Sequence, residues 1–293
     1  MEKGKSTEMS DSNPPSVLRL VPGATARVPI KGLYLSEALH RRGTATSPFV
    51  YANFLTSLDG RIAIEDDQGV PFLPKSLTTE ADFRLFLELE AQADCLITHG
   101  GYLRALAEGR LGNILQVGAH PLGADLVQWR LQQGLPPQPA IVVASASLDF
   151  PLPSSIKAHD QPLYLVTGLS SDPQRVKAWR ERGHEVLFAG KDNLVEGDAL
   201  VRLLGSLGYR CLYLIAGPQM LDTMVRNAQL SLLFQTLNHQ LMGGEAFRTL
   251  VSGPTLGVRG HMELISLYLD EGEGQSVGQF FAQFKPRCNG ATS

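Results

Sequence analysis

The chain is poor in cysteine, with three in 293 residues: Cys95, Cys211 and Cys288. An odd number at wide spacing excludes a disulfide framework and a CxxC metal knuckle. Cys95 and Cys211 lie inside apolar runs (Cys95-Leu-Ile-Thr98 and Cys211-Leu-Tyr-Leu-Ile215), where cysteine acts as a small core residue. A reducing cytoplasm is the simplest setting for such a pattern. No apolar run approaches the length of a membrane span, and the polar N-terminus lacks the apolar core of a signal peptide. Basic clusters are missing too. The net charge is −3, which gives no support for nucleic-acid or anionic-membrane binding. The expected partner is a small molecule.

Catalytic signatures are equally scarce. The seven histidines (His40, His99, His120, His159, His184, His239 and His261) show no HxxxH or Cys/His spacing, so no metal site is expected. There is no GxSxG elbow, no GxxxxGK[ST] loop and no GxGxxG dinucleotide fingerprint. A small anionic ligand is still compatible with the chain, because backbone amides at helix N-termini bind phosphate without a basic surface.

What remains is ordinary for a globular α/β protein: 43% hydrophobic and 19% charged residues. Residues 1–46 are polar, contain Ser and Pro, and show only scattered apolar positions, so a flexible or loosely docked extension is expected there. From Pro48 strands and helices alternate. Phe49-Val-Tyr-Ala-Asn-Phe-Leu55 reads as a buried strand closed by Asp59-Gly60. Phe83, Phe86, Leu87 and Ala91 recur at helical spacing behind Thr78 or Thr79, giving a helix near 79–92. Short strands are expected at 95–98, 141–144, 163–167, 185–188 and 211–216. Between the last three lie a helix capped by Ser171 or Asp172 and stopped by Gly183, and another near 197–207. The end of the chain is β-rich: 232–237, 263–268 and 279–284. The stretch 106–139 is irregular, with a helix around Leu122–Gln133. Short apolar strands separated by helices predict a mixed, mostly parallel sheet flanked by helices on both faces.

In such sheets ligands bind where strand ends lead into helix N-termini. Three loops qualify. Ala216-Gly217-Pro218-Gln219-Met220-Leu221 follows the strand from Cys211; His99-Gly100-Gly101-Tyr102 follows the strand ending at Thr98; Asn53 to Ala63 carries Thr56, Ser57 and Asp59 at a strand end. Each is also explained locally as a plain turn. Asp59 in particular would then bond backbone amides.

Taken together these segments resemble the reductase domain of riboflavin biosynthesis, which is itself similar to dihydrofolate reductase. The resemblance is carried by Leu55-Thr-Ser-Leu-Asp-Gly-Arg-Ile-Ala63, Ala93-Asp-Cys-Leu-Ile-Thr98, Ile141-Val-Val-Ala-Ser145, Ala216-Gly-Pro-Gln-Met220 and Leu241-Met-Gly-Gly244. It places the reductase domain at residues 47–287, followed by a tail at 288–293. It implies NADPH as cofactor, a homodimer, and reduction of the ribosyl carbonyl of a ribosylaminopyrimidine phosphate by hydride transfer. No nucleophile or catalytic dyad is then expected. Cofactor contacts are implied at Leu55, Gly100, Gly101, Tyr102, Ser145, Gly217, Pro218, Gln219, Met220 and Leu221, and along the loop to Thr223. Substrate contacts are implied at Asn53, Ser57, Asp59 and Ile215.

Four departures fall mostly on the substrate side. The family's Glu before the Gly-Pro turn is Ile215, and its Arg late in the first helix aligns with Glu90. The Thr of its Gly-x-Gly-Thr loop aligns with Tyr102, and its Asp-Asp-Pro segment is replaced by Leu106-Ala-Glu-Gly-Arg110. Hydrogen bonds to charged partners contribute about 1.5–3 kcal/mol each, so such losses reshape a pocket. Three functions stay open: the riboflavin-pathway reduction, reduction of another carbonyl or heterocyclic imine, and a non-catalytic binding member.

Overall fold

The computed structural model describes residues 15–272 and 277–287. Residues 1–14, the tail at 288–293 and Cys288 lie outside the described residues.

The strand that opens the ordered pattern is β3 (Phe49–Ser57), a nearly continuous apolar run, as a strand buried on both faces requires. It precedes, in chain order, α1 (Glu80–Glu90), β6 (Cys95–His99), α2 (Gly100–Ala107), α3 (Leu126–Gln132), β7 (Ala140–Ala144), β8 (Leu163–Thr167) and α4 (Pro173–Glu181). Then come β9 (Glu185–Phe188), α5 (Gly197–Ser206), β10 (Cys211–Leu214), α6 (Pro218–Arg226), β11 (Leu232–Asn238), β13 (Met262–Asp270) and β14 (Gln279–Pro286). Before β3 lie β1 (Ser16–Val21) and β2 (Ala26–Pro29). Three short strands, β4 (Ala63–Glu65), β5 (Pro71–Phe72) and β12 (Phe247–Arg248), form a separate small sheet.

The main sheet has eleven strands in the order β2-β1-β13-β14-β11-β3-β10-β6-β7-β8-β9. The run from β11 to β9 is parallel throughout. β14, β13, β1 and β2 extend it antiparallel. The expected mixed, mostly parallel sheet is present, with helices on both faces. One face packs Tyr51, Leu96 and Tyr213 against Leu85 and Leu89 of α1 and Trp179 of α4. The other packs Ala52, Ile97 and Leu214 against Leu204 of α5 and Leu221 of α6. Alternation along each strand sets this division. No helix among the described residues is long and apolar enough to cross a membrane.

Sequence signals at helix ends are used as written. Thr79 Oγ1 accepts from the Asp82 amide at 3.0 Å, and Asp172 Oδ1 accepts from the Gln174 amide at 2.9 Å ahead of Pro173. The helix expected around 122–133 is shorter, Leu126–Gln132.

Residues 15–46 correct the expectation of a loose extension. β1 pairs with both β2 and β13, and Tyr34 and Leu39 are buried. The buried Glu88 carboxylate holds this segment to α1, accepting from the amides of Gly32 (2.6 Å), Tyr34 (3.0 Å) and Leu35 (3.4 Å). Gln92 adds bonds to the Tyr34 carbonyl (2.9 Å) and the Leu39 amide (2.8 Å). The segment shows little hydrophobic periodicity because its docking rests on side chains of α1 reaching its backbone.

Candidate active site

The parallel strands all end on one rim, and the two glycine-bearing turns stand there side by side. β10 pairs with both β3 and β6, and the Ile215 amide continues the ladder by donating to the Ile97 carbonyl at 2.8 Å. The turn after β6 and the turn after β10 are therefore neighbours, one strand spacing (about 4.8 Å) apart.

Both turns lead into helices whose first-turn amides have no side-chain cap: α2 behind His99 and α6 behind Gly217. α1 and α4 are capped by their own N-cap side chains, and the Gly197 amide at the start of α5 is met by Thr223 Oγ1 (3.0 Å) and Asn227 Oδ1 (3.1 Å). Uncapped N-termini present free donors and a positive dipole end. A Cβ placed on Gly217 would find one atom within 4 Å, His99 Nε2 at 4.0 Å, so its α-carbon faces open space. Arg104, one turn further along α2, puts Nη2 3.7 Å from the Cβ position of Gly101. Backbone donors, a bare α-carbon and a cation in one place fit a dinucleotide diphosphate. Arg104 was missed in the sequence. Its signal is the i, i+3 spacing from Gly101, which puts both on one helix face.

Other expected cofactor residues point elsewhere. Gly100 is buried because a Cβ there would stand 2.7 Å from Phe150 Cδ1; its smallness serves packing. The Tyr102 hydroxyl donates to the Gly112 carbonyl (2.8 Å) and accepts from the Ile114 amide (2.9 Å), tying down the 110–114 loop. Leu221 is core on the α5–α6 face. Ser145 Oγ accepts from the Leu148 amide at 3.0 Å and so closes the turn after β7. Leu55, Pro218 and Met220 are half-buried and Gln219 is exposed, all on or beside the rim.

On the substrate side, Asn53 and Leu55 are half-buried on the α1 face of β3, and Ile215 is half-buried beyond the end of β10. Ser57 and Asp59 belong to the turn. Ser57 Oγ donates to Asp59 Oδ1 at 2.5 Å, and the Gly243 and Met242 amides donate to the same carboxylate at 2.9 and 3.2 Å. Ser57, those amides and Arg61 hold the Asp59 carboxyl far below the usual carboxylate range. These bonds tie the β3 turn to the 242–243 loop.

Under α1 lies an unusual set of polar atoms. Both Glu90 carboxylate oxygens, Asp82 Oδ1, the Tyr213 hydroxyl and Thr98 Oγ1 are buried and meet no partner among the described residues. Asp82, Phe86 and Glu90 are four residues apart and share the sheet-facing side of α1. Burial pushes Glu90 up to about 8, with the nearby Arg130 opposing, and Asp82 up to about 6. Burial also lifts Tyr213, with added contributions from Glu90 and Asp82. Glu90 lies at the far end of α1 from the rim, where Arg130 Nη1 bonds the Ala91 and Ala93 carbonyls at 2.9 and 2.6 Å. The Arg-to-Glu90 departure is therefore an interior change rather than a change at the mouth of the pocket.

A separate groove of 560 Å³ lies between α4 and the ends of β8 and β9, lined by Leu169, Val176, Lys177, Arg180 and Phe188. It is two or more strands from the glycine turns and lacks their converging amides.

Among curated protein sequences none matches this chain. Solved structures share its fold. A pyrimidine reductase-like protein of Corynebacterium diphtheriae superposes with a TM-score of 0.58 at 17% identity, covering 83% of this chain and 94% of that one. RibD of Acinetobacter baumannii gives 0.57 at 14% identity, covering 83% and 59%. The Thermotoga maritima diaminohydroxyphosphoribosylaminopyrimidine deaminase/5-amino-6-(5-phosphoribosylamino)uracil reductase gives 0.52 at 12%, covering 82% and 57%. The present chain thus spans less than two thirds of those two. The family model for the RibD C-terminal domain matches residues 48–270, which takes in both glycine turns and the SLDGRIA run, and on that match this chain belongs to the RibD C-terminal domain family.

Proposed function

We propose that this chain is an NADPH-dependent reductase acting by hydride transfer on the ribosyl carbonyl of a ribosylaminopyrimidine phosphate. The observation that carries the reading is the pair of uncapped helix N-termini on adjacent parallel strands, with the bare α-carbon of Gly217 open between them. In this reading the first amides of α2 and α6 bind the cofactor's diphosphate, and Arg104 adds a charge beside Gly101. Pro218 starts α6 with its fixed backbone angle, while Gln219 and Met220 border the same turn. Leu55 and Asn53 form the floor on which cofactor and substrate lie, and Ile215 faces the substrate end. When bound, the reduced nicotinamide supplies the hydride. The protein supplies orientation: holding the carbonyl carbon against the donor is the larger part of its work.

A second reading, reduction of a different carbonyl or a heterocyclic imine, is favoured by Ile215. An apolar side chain there replaces a carboxylate of the family pattern and removes an acceptor for sugar hydroxyls. We further propose a cytoplasmic homodimer paired through the antiparallel part of the sheet, where Leu264 and Ile265 of β13 are 40% and 37% exposed. Sedimentation should then show a dimer.

The test is NADPH oxidation by the purified protein, with the ribosylaminopyrimidine phosphate and a panel of other carbonyls as acceptors. Turnover of the phosphate supports the first reading. Binding of NADPH with turnover of another acceptor supports the second. No thermal shift with NADPH leaves a non-catalytic family member.

A further inference from the structure

We propose that the His99 imidazole is a titratable donor to the cofactor's diphosphate, so that dinucleotide affinity rises as pH falls. The inference rests on the cradle described above and adds a side chain to it.

The sequence places a histidine where the family pattern has a small residue. Counting back from Tyr102, which aligns with the Thr of Gly-x-Gly-Thr, His99 stands at the first glycine. As the last residue of β6 it shares a strand face with Ile97, the face that packs against α6. The ring rests on the bare α-carbon of Gly101: its Cε1 and Nδ1 atoms lie 2.9 Å from where a Cβ would be. A side chain at residue 101 would displace it. The other ring nitrogen, Nε2, lies toward the β10–α6 turn, 4.0 Å from the Cβ position of Gly217. The imidazole therefore stands between the two turns that would hold the diphosphate, with Nε2 facing the gap.

Its surroundings set the response. From α2, Arg104 is the charged group that acts on it; burial and Arg104 together lower its pKa from 6.5, so the ring is neutral at physiological pH. From the turn after β7, Ser145, whose Oγ caps Leu148, and Phe150 pack against Gly100, the next residue in the chain; the neighbouring Asp149 carboxylate is paired with Arg175 at 2.9 Å. From α6 the first turn carries Pro218, Gln219 and Met220, all uncharged, and Asp222 is paired with Arg226. Among the described residues of these elements no carboxylate is free to charge the ring. A diphosphate arriving in the gap brings the missing negative charge, favours the imidazolium, and couples proton uptake to binding.

The test is the dissociation constant of NADPH and of NADH from pH 5.5 to 8.5 for wild type, His99→Gln and His99→Gly, with the His99 ring titrated by NMR in free and bound protein. NADH is included because a 2′-phosphate itself titrates near pH 6 (roughly, as other phosphate monoesters do). Wild type should bind both dinucleotides more tightly as pH falls through the window between the bound and free pKa of His99, by about tenfold in total for each unit that binding raises that pKa. His99→Gln, which keeps an N–H donor without a titration, should bind NADH with a flat profile. His99→Gly should bind about tenfold more weakly at low pH, and the His99 pKa should rise by about one unit or more on binding. Thermal unfolding of both variants checks that they fold. Tighter binding by His99→Gly would make the ring a plug, and an unchanged pH slope in His99→Gln would equally overturn the inference while leaving the cradle intact. If wild type binds neither dinucleotide at any pH, the cradle reading fails along with it.

Discussion

A methyl group added at Gly217 would meet only His99 Nε2, at 4.0 Å, whereas one added at Gly100 would stand 2.7 Å from the Phe150 ring. Gly217 has φ −75°, which any residue adopts. Gly217→Ala should therefore keep its stability within about 0.5 kcal/mol and weaken NADPH binding about tenfold, because the methyl enters the space meant for the ligand. Gly100→Ala should cost about 1–3 kcal/mol of stability through overpacking. Thermal unfolding and cofactor titration of the two variants separate these roles. Glu90 has a consequence of its own. Its folded-state pKa is raised from 4.5 to about 8, so between those values only the folded chain holds the proton. Stability is then complete below about pH 4.5 and falls as pH rises, by about 1.4 kcal/mol per unit, levelling off above about 8. Glu90→Gln stays neutral throughout. The variant should lose most of this slope, so that its stability relative to wild type is higher at pH 8 than at pH 5; urea unfolding at the two pH values measures it. An unchanged slope would mean that Glu90 is charged in the fold.

At the scale of elements, α1 holds the molecule together more than its length suggests. Its Glu88 accepts three backbone amides of the 32–35 segment and Arg84 Nε at 2.9 Å, and Arg84 in turn reaches Asp125 at 2.7 and 3.2 Å ahead of α3. Glu88→Ala leaves three amides and the Nε of the buried Arg84 guanidinium without their acceptor, while Asp125 keeps its bonds to the Arg84 Nη atoms. A loss of about 3–5 kcal/mol is expected, together with protease cleavage within residues 15–46 before the rest of the chain is cut. Cleavage no faster than in wild type would show that the strand pairing of β1 alone holds the segment. This anchoring also explains what the sequence conveyed. The strands β3, β6, β7 and β10 were legible because strands buried on both faces are runs of apolar residues, and α1 and α4 because Thr79, Asp172 and Pro173 mark their starts. β1 and β2 were not, since only Val17 of their residues is fully buried and no alternation results. The site was half legible for a related reason. Glycines at strand ends announce the turns, but Gly100, Tyr102 and Leu221 face the core, and only tertiary packing decides which side of a turn a residue takes.

At the scale of the whole molecule, seven parallel strands from β11 to β9 end on one rim, and two places on it compete as ligand sites. One is the pair of glycine turns after β6 and β10; the other is the groove beside α4, where Leu169 and Phe188 are exposed and Lys177 and Arg180 supply charge. Converging amides distinguish the first, and the family match spans both. The most direct measurement is the amide spectrum of the 15N-labelled protein during titration with NADPH. The resonances of Gly101, Gly217 and Gln219 should shift together and saturate at one ligand concentration, with Arg104 following. Shifts confined to residues 169–188, or no shifts at all, would contradict the cradle.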